Sequence, residues 1–174
     1  KTLDAGVKQL SRSPRYAQAF RKLQLLPGVG LLSAMTFLTE LGDLDRFANR
    51  RALAAYLGLA PSSFESGARN DRKGHITRQG PSRVRHVLCQ SAWAALRCSP
   101  GWRETYDRIK RGTSRRSKVA IVAVMRKLGI QMWQVARSPE WDACLRPEVG
   151  ERSTGSGSTE GGRPFRPAVA SAGG

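Results

Sequence analysis

The chain has 174 residues, of which 30 are Lys or Arg and 13 are Asp or Glu, so its formal charge is +17. A charge this large repels itself unless a polyanion is bound, which makes nucleic acid the first partner to consider. The three cysteines form no CxxC pair, which argues against a disulfide framework and against a zinc site, and fits a reducing cytosol. No run of apolar residues approaches the roughly 18 needed to span a bilayer, so we expect no membrane partner.

The first two segments of the chain are predicted to be short helices. Apolar residues recur at helical spacing from Leu3 to Leu10, and Ser13-Pro14 interrupts the pattern. We interpret residues 1–13 as the end of a coiled coil or as a linker helix. A second helix is predicted around Tyr16–Leu23.

The string LLPGVG, residues 25–30, is the first specific motif. Two helices joined by an apolar residue, Pro-Gly, another apolar residue and Gly are typical of the helix-hairpin-helix module. The glycines permit a tight turn, and backbone N–H groups at the start of the second helix can face a phosphate. We therefore predict a DNA contact at Gly28, Val29 and Gly30. The alternative is a Pro-Gly turn between core helices that binds no ligand.

The remaining apolar segments also have helical periodicity, and none has the pattern of a strand. Asn49 is a candidate helix cap. The predicted fold is all-α: a compact domain of six or seven helices over residues 14–146. Half of the 28 residues from Pro147 to Gly174 are Gly, Ser or Pro, so we predict a disordered tail there. The further helices are predicted at 31–41, 50–57, from 81 or 82 to about 95, at 102–111 and at 117–136.

A long polar connection, Ala60–His86, separates two of these helices and holds six basic residues against two acidic ones. Loops of this length inside a compact domain are often functional. Basic side chains in the first turn of a helix oppose its dipole and are better explained by a bound anion. The predicted nucleic-acid contacts are Arg69, Arg72, Lys73, Arg78, Arg83 and Arg85 in this connection and the helix after it, together with a second basic cluster at Arg115, Arg116 and Lys118.

Ser66 is the candidate nucleophile of this connection. A serine hydroxyl can attack a phosphodiester if a base or a metal takes its proton and nearby arginines stabilise the developing charge. The alternative is a turn serine that bonds its own backbone. Only two histidines are present, and no Cys or carboxylate lies at ligand spacing from them, so no metal site is predicted within this chain.

Four segments taken together resemble one protein family. They are LLPGVG with the helix after it, RALAAYLGLAPSSFESG, GHITRQGPSRVRHVL and SKVAIVAVMRKL. In this order they are similar to the C-terminal transposase domain of the RNA-guided, DEDD-type insertion-sequence transposases, which are relatives of the Piv DNA invertases. The resemblance covers roughly residues 24–137.

The resemblance implies a catalytic role for Ser66. In the family, the serine after the acidic residue in the loop following the "GLxP" turn is the nucleophile and becomes linked to DNA. Ser66, preceded by Glu65 and followed by Gly67, matches that position. A RuvC-like domain with four acidic residues precedes this domain in the family and would supply Mg²⁺, whereas no cofactor is expected in the present chain.

The function implied is DNA cleavage and strand exchange by a transposase. Its implied partners are donor and target DNA, a structured guide RNA and further copies of the chain, in the bacterial cytoplasm at the nucleoid. Two alternatives stay open: a non-catalytic helix-hairpin-helix module that only binds nucleic acid, and an RNA-packaging protein.

Overall fold

Seven α-helices and one two-stranded ribbon make up the part of the chain that the structure describes. The computed structural model covers residues 2–63 and 73–139, without the side chains of residues 2, 3, 62, 63 and 73–75. A 3₁₀ turn, Ser114–Arg116, directly precedes the last helix. The helices are α1 (Thr2–Ser11), α2 (Ala17–Gln24), α3 (Leu31–Leu41), α4 (Arg50–Tyr56), α5 (Ser82–Cys98), α6 (Pro100–Lys110) and α7 (Ser117–Arg137), and the strands are β1 (Pro61–Ser63) and β2 (Lys73–Ile76).

The all-α prediction is confirmed, because the helices supply most of the hydrophobic core, to which connecting residues such as Phe47 and Leu59 add. Asn49 caps α4 as predicted: its Oδ1 accepts bonds of 3.0 and 2.9 Å from the N–H groups of Arg51 and Ala52. The predicted domain limits stay a prediction, and the predicted tail, 147–174, lies outside the described residues.

Helix α7 lies at the centre of the domain and packs against α2, α4, α5 and α6. Val124, Leu128 and Met132 on this helix are fully buried. Gly129 marks the closest approach, because a Cβ there would lie 3.1 Å from Leu57 Cδ1 and 3.3 Å from a Cδ1 of Leu88. The missing side chain lets the end of α4 and the middle of α5 meet on one turn of α7.

Helix α7 also bears on the membrane prediction. Within the described residues one helical stretch, Ser114–Arg137, is long and apolar enough to cross a bilayer by length and composition alone, which the sequence reading missed. However, 56% of its most apolar window is buried inside the domain. That burial is what the core helix of a packed domain requires.

The antiparallel ribbon was not predicted. Pro61 pairs with Ile76 and Ser63 with Lys73, and the register is irregular between the two pairs. The first strand reads Pro-Ser-Ser and has none of the apolar alternation by which strands are recognised. The pairing brings together the two ends of the segment 64–72, which lies outside the described residues.

Two glycines and one arginine fix the base of this ribbon. Gly58 and Gly80 have φ of 67° and 116°, in the region that favours glycine. A Cβ on Gly80 would overlap the carbonyl oxygen of Tyr56, and one on Gly58 would overlap that of Gln79. Arg85 Nη1 donates to the carbonyl oxygens of Gly80 at 2.8 Å and Leu57 at 3.4 Å. The start of α5 is thereby tied to the end of α4 directly beneath the ribbon.

Replacement of Gly80 by Ala should destabilise the domain by about 2–4 kcal/mol, since it adds a backbone clash to an unfavourable φ. Thermal or urea unfolding measures the loss. Gly101→Ala is the matched control, because a Cβ at that helical position meets no atom within 4 Å, and it should leave stability unchanged or slightly raised. Equal stability of the two variants would contradict the described ribbon base.

Candidate nucleic-acid interface

The predicted nucleophile and part of the predicted basic loop lie outside the described residues. Ser66, Arg69 and Arg72 belong to the undescribed segment 64–72, and Lys73 begins β2 without a described side chain. The structure does describe the ribbon from which this segment departs and to which it returns. Ser66 is three residues along the chain from Ser63, and three residues of chain reach at most about 11 Å.

The side chains of Arg78 and Arg83 are exposed to solvent near the ribbon base. Arg78 lies just after β2 with a φ of 54°, and its side chain is exposed. The side chain of Arg83 is 83% exposed, and its Nη1 is 3.7 Å from Glu40 Oε1, a long and weak ion pair. Both guanidinium groups can therefore meet a phosphate without breaking a strong internal bond.

Arg85 has a different environment. The predicted anion at the start of α5 would explain both arginines of its first turn, but Arg85 already donates to two backbone carbonyl groups at the ribbon base. These two bonds offset the unfavourable interaction between the positive charge of Arg85 and the dipole of α5. The bond to Leu57 could not be predicted from the sequence, because its carbonyl is 28 residues away from Arg85.

The hairpin between α2 and α3 is packed on α5. Val29 is only 7% exposed. Gly28 has a φ of 82°, and a Cβ there would overlap the backbone of Ala95 and lie 2.5 Å from the carbonyl oxygen of Ser91. Gly30, the N-cap of α3, has no side-chain capping bond and open space around it. Of the three predicted contacts, Gly30 is thus the one placed at an open helix start, while Gly28 and Val29 have packing roles.

The second basic cluster forms the entry to α7. Arg115 and Lys118 are exposed, and Arg116 is half-buried at the N-cap position. The first turn of α7 contains no acidic residue. Uncompensated cations at a helix start again suit an anion, as the sequence analysis predicted.

Helix α5 carries an exposed row of residues that the sequence analysis missed apart from its first member. The row begins at Arg83 and continues on one face of the helix with spacings of three and four residues, and all its members are exposed. The apolar residues of α5 recur at the same helical spacing on the buried face. The polar row on the opposite face could therefore have been recognised from the sequence. We call this row the α5 stripe: Arg83, His86, Gln90, Trp93 and Arg97.

A polar cleft of about 490 Å³ lies elsewhere, between α2, the segment that follows α3 and the end of α7. Its charges are largely compensated internally. Lys22 Nζ donates to the carbonyl oxygen of Ser138 at 2.8 Å, and Arg137 Nε donates to Asp45 Oδ1 at 2.6 Å. The ribbon and α5 contribute none of its lining, so we assign the cleft to the packing of the end of α7 against α2 and the segment after α3.

Metal-binding side chains do not gather in the described residues. In residues 2–63 and 73–139 there is no group of three or more His, Cys, Asp or Glu that could hold an ion. The Mg²⁺ that the family resemblance implies does not fit the donors present here.

A known protein family matches the part of the chain that contains most of these features. Residues 20–107 match the model of the Transposase IS116/IS110/IS902 family. This range includes the hairpin, the ribbon with its connecting segment, and the whole α5 stripe.

Several curated relatives are named as transposases. A putative transposase, y4qE, of Sinorhizobium fredii is 36% identical over 140 residues, covering 66% of this chain and 35% of the relative. A probable family 20 transposase of Pseudomonas aeruginosa is 28% identical over 152 residues, covering 84% of this chain and 44% of the relative. The transposase for insertion sequence element IS1111A of Coxiella burnetii is 35% identical over 77 residues, covering 44% of this chain and 21% of the relative. The chain thus spans less than half the length of these relatives. Because the family model matches half of its residues, the chain belongs to the IS116/IS110/IS902 family of transposases.

Proposed function

We propose that this chain is the serine-bearing, DNA-binding part of an insertion-sequence transposase, with Ser66 as its nucleophile. The observation that carries the proposal is the ribbon: the family-matched segment that contains Ser66 leaves from and returns to a base held by close glycine packing and by the bonds of Arg85. A nucleophile needs such support, because misplacement by about 1 Å can cost a hundredfold in rate.

The reaction proposed is a transesterification. Ser66 Oγ attacks a DNA phosphorus atom, the Oγ–P bond forms and one P–O bond to deoxyribose breaks. The serine proton leaves to a base and the departing deoxyribose oxygen gains a proton. The phosphodiester is exchanged rather than hydrolysed, so the cut strand stays linked to the protein and can be joined to another strand without a nucleotide cofactor.

The roles of the basic residues follow from their exposure. Arg78 and Arg83 would hold phosphates near the ribbon, with Arg69, Arg72 and Lys73 beside Ser66. Gly30 and the cluster of Arg115, Arg116 and Lys118 would contact the DNA backbone elsewhere. Arg85 would act as a positioning residue through its bonds to the ribbon base.

The family chemistry also requires acids that the described residues do not assemble. We assign Mg²⁺ and its carboxylates to polypeptide beyond this chain, which accords with its covering 35% and 44% of two of its relatives. A structured guide RNA, several copies of the chain and action in the bacterial cytoplasm at the nucleoid belong to the same proposal.

The rival proposal is a helix-hairpin-helix module that binds nucleic acid without chemistry of its own. The open backbone at Gly30 favours it. It predicts that Ser66 can be replaced without loss of any activity.

Ser66→Ala should abolish covalent attachment to DNA and slow strand cleavage by roughly a thousandfold or more. The measurement is adduct formation on a denaturing gel, made with a transposase polypeptide that contains this chain and its acidic partner domain. Ser62→Ala and Ser63→Ala, in strand β1 a few residues before Ser66, are matched controls and should cleave like the parent. DNA binding should persist in all three variants. Cleavage by the Ser66→Ala protein at the parent rate would support the binding module instead.

Binding of the 174-residue chain to duplex DNA should weaken steeply as salt rises, because phosphate contacts release counterions. Arg83→Gln should reduce the slope of log affinity against log salt by about 0.9. Arg137→Gln removes the same charge from a guanidinium already bonded to Asp45 at 2.6 Å, and its slope should match the parent's. A slope for Arg83→Gln equal to that of the Arg137 variant would remove Arg83 from the interface.

A further inference from the structure

Trp93 is the unusual member of the α5 stripe. It is 44% exposed, and within the described residues only four other large hydrophobic side chains are exposed to a comparable degree. Polar residues are usual on an exposed helix face, but a tryptophan among them leaves apolar ring surface in contact with water. The other positions of the stripe hold two arginines, a histidine and a glutamine.

The ring of Trp93 is supported from behind. Its centroid lies 6.0 Å from that of Tyr106 on α6, with the ring planes inclined at 55°. Tyr106 is itself only 8% exposed, so it belongs to the core. Trp93 is therefore held by a buried aromatic partner and presents the remainder of its ring to solvent.

The surroundings of Trp93 are basic. Arg97 lies one turn further along α5, and Lys110 Nζ is 5.9 Å from the Tyr106 ring centroid. Helix α5 contains no Asp or Glu. On other elements, Glu40 lies 3.7 Å from Arg83, and α6, which carries Tyr106, also carries the exposed Glu104 and Asp107. An exposed aromatic plane with an arginine one turn away on the same helix face has the chemistry that binds a nucleobase and a flanking phosphate.

We propose that the α5 stripe binds unpaired DNA, with one base stacked on Trp93 and neighbouring phosphates contacted by Arg97 and Arg83. The stripe extends over 15 residues of helix, a rise of about 21 Å from Arg83 to Arg97, which accommodates several nucleotides. This inference rests on the proposed function, since strand exchange requires DNA whose bases are transiently unpaired. Stacking is sequence-tolerant because every base has a π-face, so the stripe would serve any target sequence.

The test measures binding of a fluorescein-labelled mixed-sequence single-stranded DNA to the 174-residue chain by fluorescence anisotropy. Trp93→Leu keeps an apolar side chain but loses the aromatic plane, and should weaken binding by about 5- to 100-fold. Its salt slope should equal the parent's, because no charge changes. Trp93→Phe should restore most of the affinity. Arg97→Gln should instead lower the slope by about 0.7, the value for one phosphate contact on a single strand.

Leu10→Ala is the control for exposed apolar surface, since Leu10 on α1 is 43% exposed, and it should bind like the parent. Thermal unfolding of each variant separates lost stacking from lost folding.

The outcomes distinguish this inference from the function on which it rests. If the parent binds single-stranded DNA and Trp93→Leu binds equally well, the stacking site is overturned while the DNA-binding function stands. A loss confined to RNA of the same sequence, or an equal loss on fully paired DNA, would overturn unpaired DNA as the occupant. If the parent binds no DNA, the proposed function fails and this inference fails with it.

Discussion

The burial of α7 is the constraint on which the rest of the domain depends. Four helices pack on it, and Gly129 lets Leu57 and Leu88 meet at one of its turns. Leu57 is the C-cap of α4 and Leu88 lies in α5, so this contact sets the distance between the two helices that flank the ribbon. Arg85 then joins the same two helices by polar bonds. The core thereby determines where the segment containing Ser66 leaves the domain.

Helices were predictable from the sequence because their apolar faces recur at a period close to 3.6. Asn49 could also be predicted as a helix cap, because a capping side chain bonds to backbone N–H groups only a few residues away. The ribbon was not, because Pro61–Ser63 has no strand pattern and pairs only through its backbone with residues beyond the connecting segment. The packing of Gly28 on α5 and the bond of Arg85 to Leu57 were not predicted, because both join elements far apart in sequence; phosphate contact by these two residues stays a prediction. Ser66 was found through the family resemblance rather than through its spacing.

The basic residues differ in whether their charge is bonded within the fold or exposed to solvent. Arg85 is used within the fold, while Arg78, Arg83, Arg115 and Lys118 are exposed. The whole chain has a formal charge of +17, and these exposed cations of the domain can contact a phosphate backbone. A fixed ribbon base and an exposed basic surface are what a DNA-cleaving domain needs from a scaffold, and the family membership agrees with both.

The most direct test of the account is to identify the residue that becomes linked to DNA. A transposase polypeptide containing this chain would be reacted with DNA, the adduct trimmed by nuclease and digested with trypsin, and its peptides sequenced by mass spectrometry. Trypsin releases the peptide Ala52–Arg69, which holds Tyr56, Ser62, Ser63 and Ser66 together. The account predicts a nucleotide remnant on Ser66. A remnant on Tyr56, or on a peptide outside this chain, would contradict it.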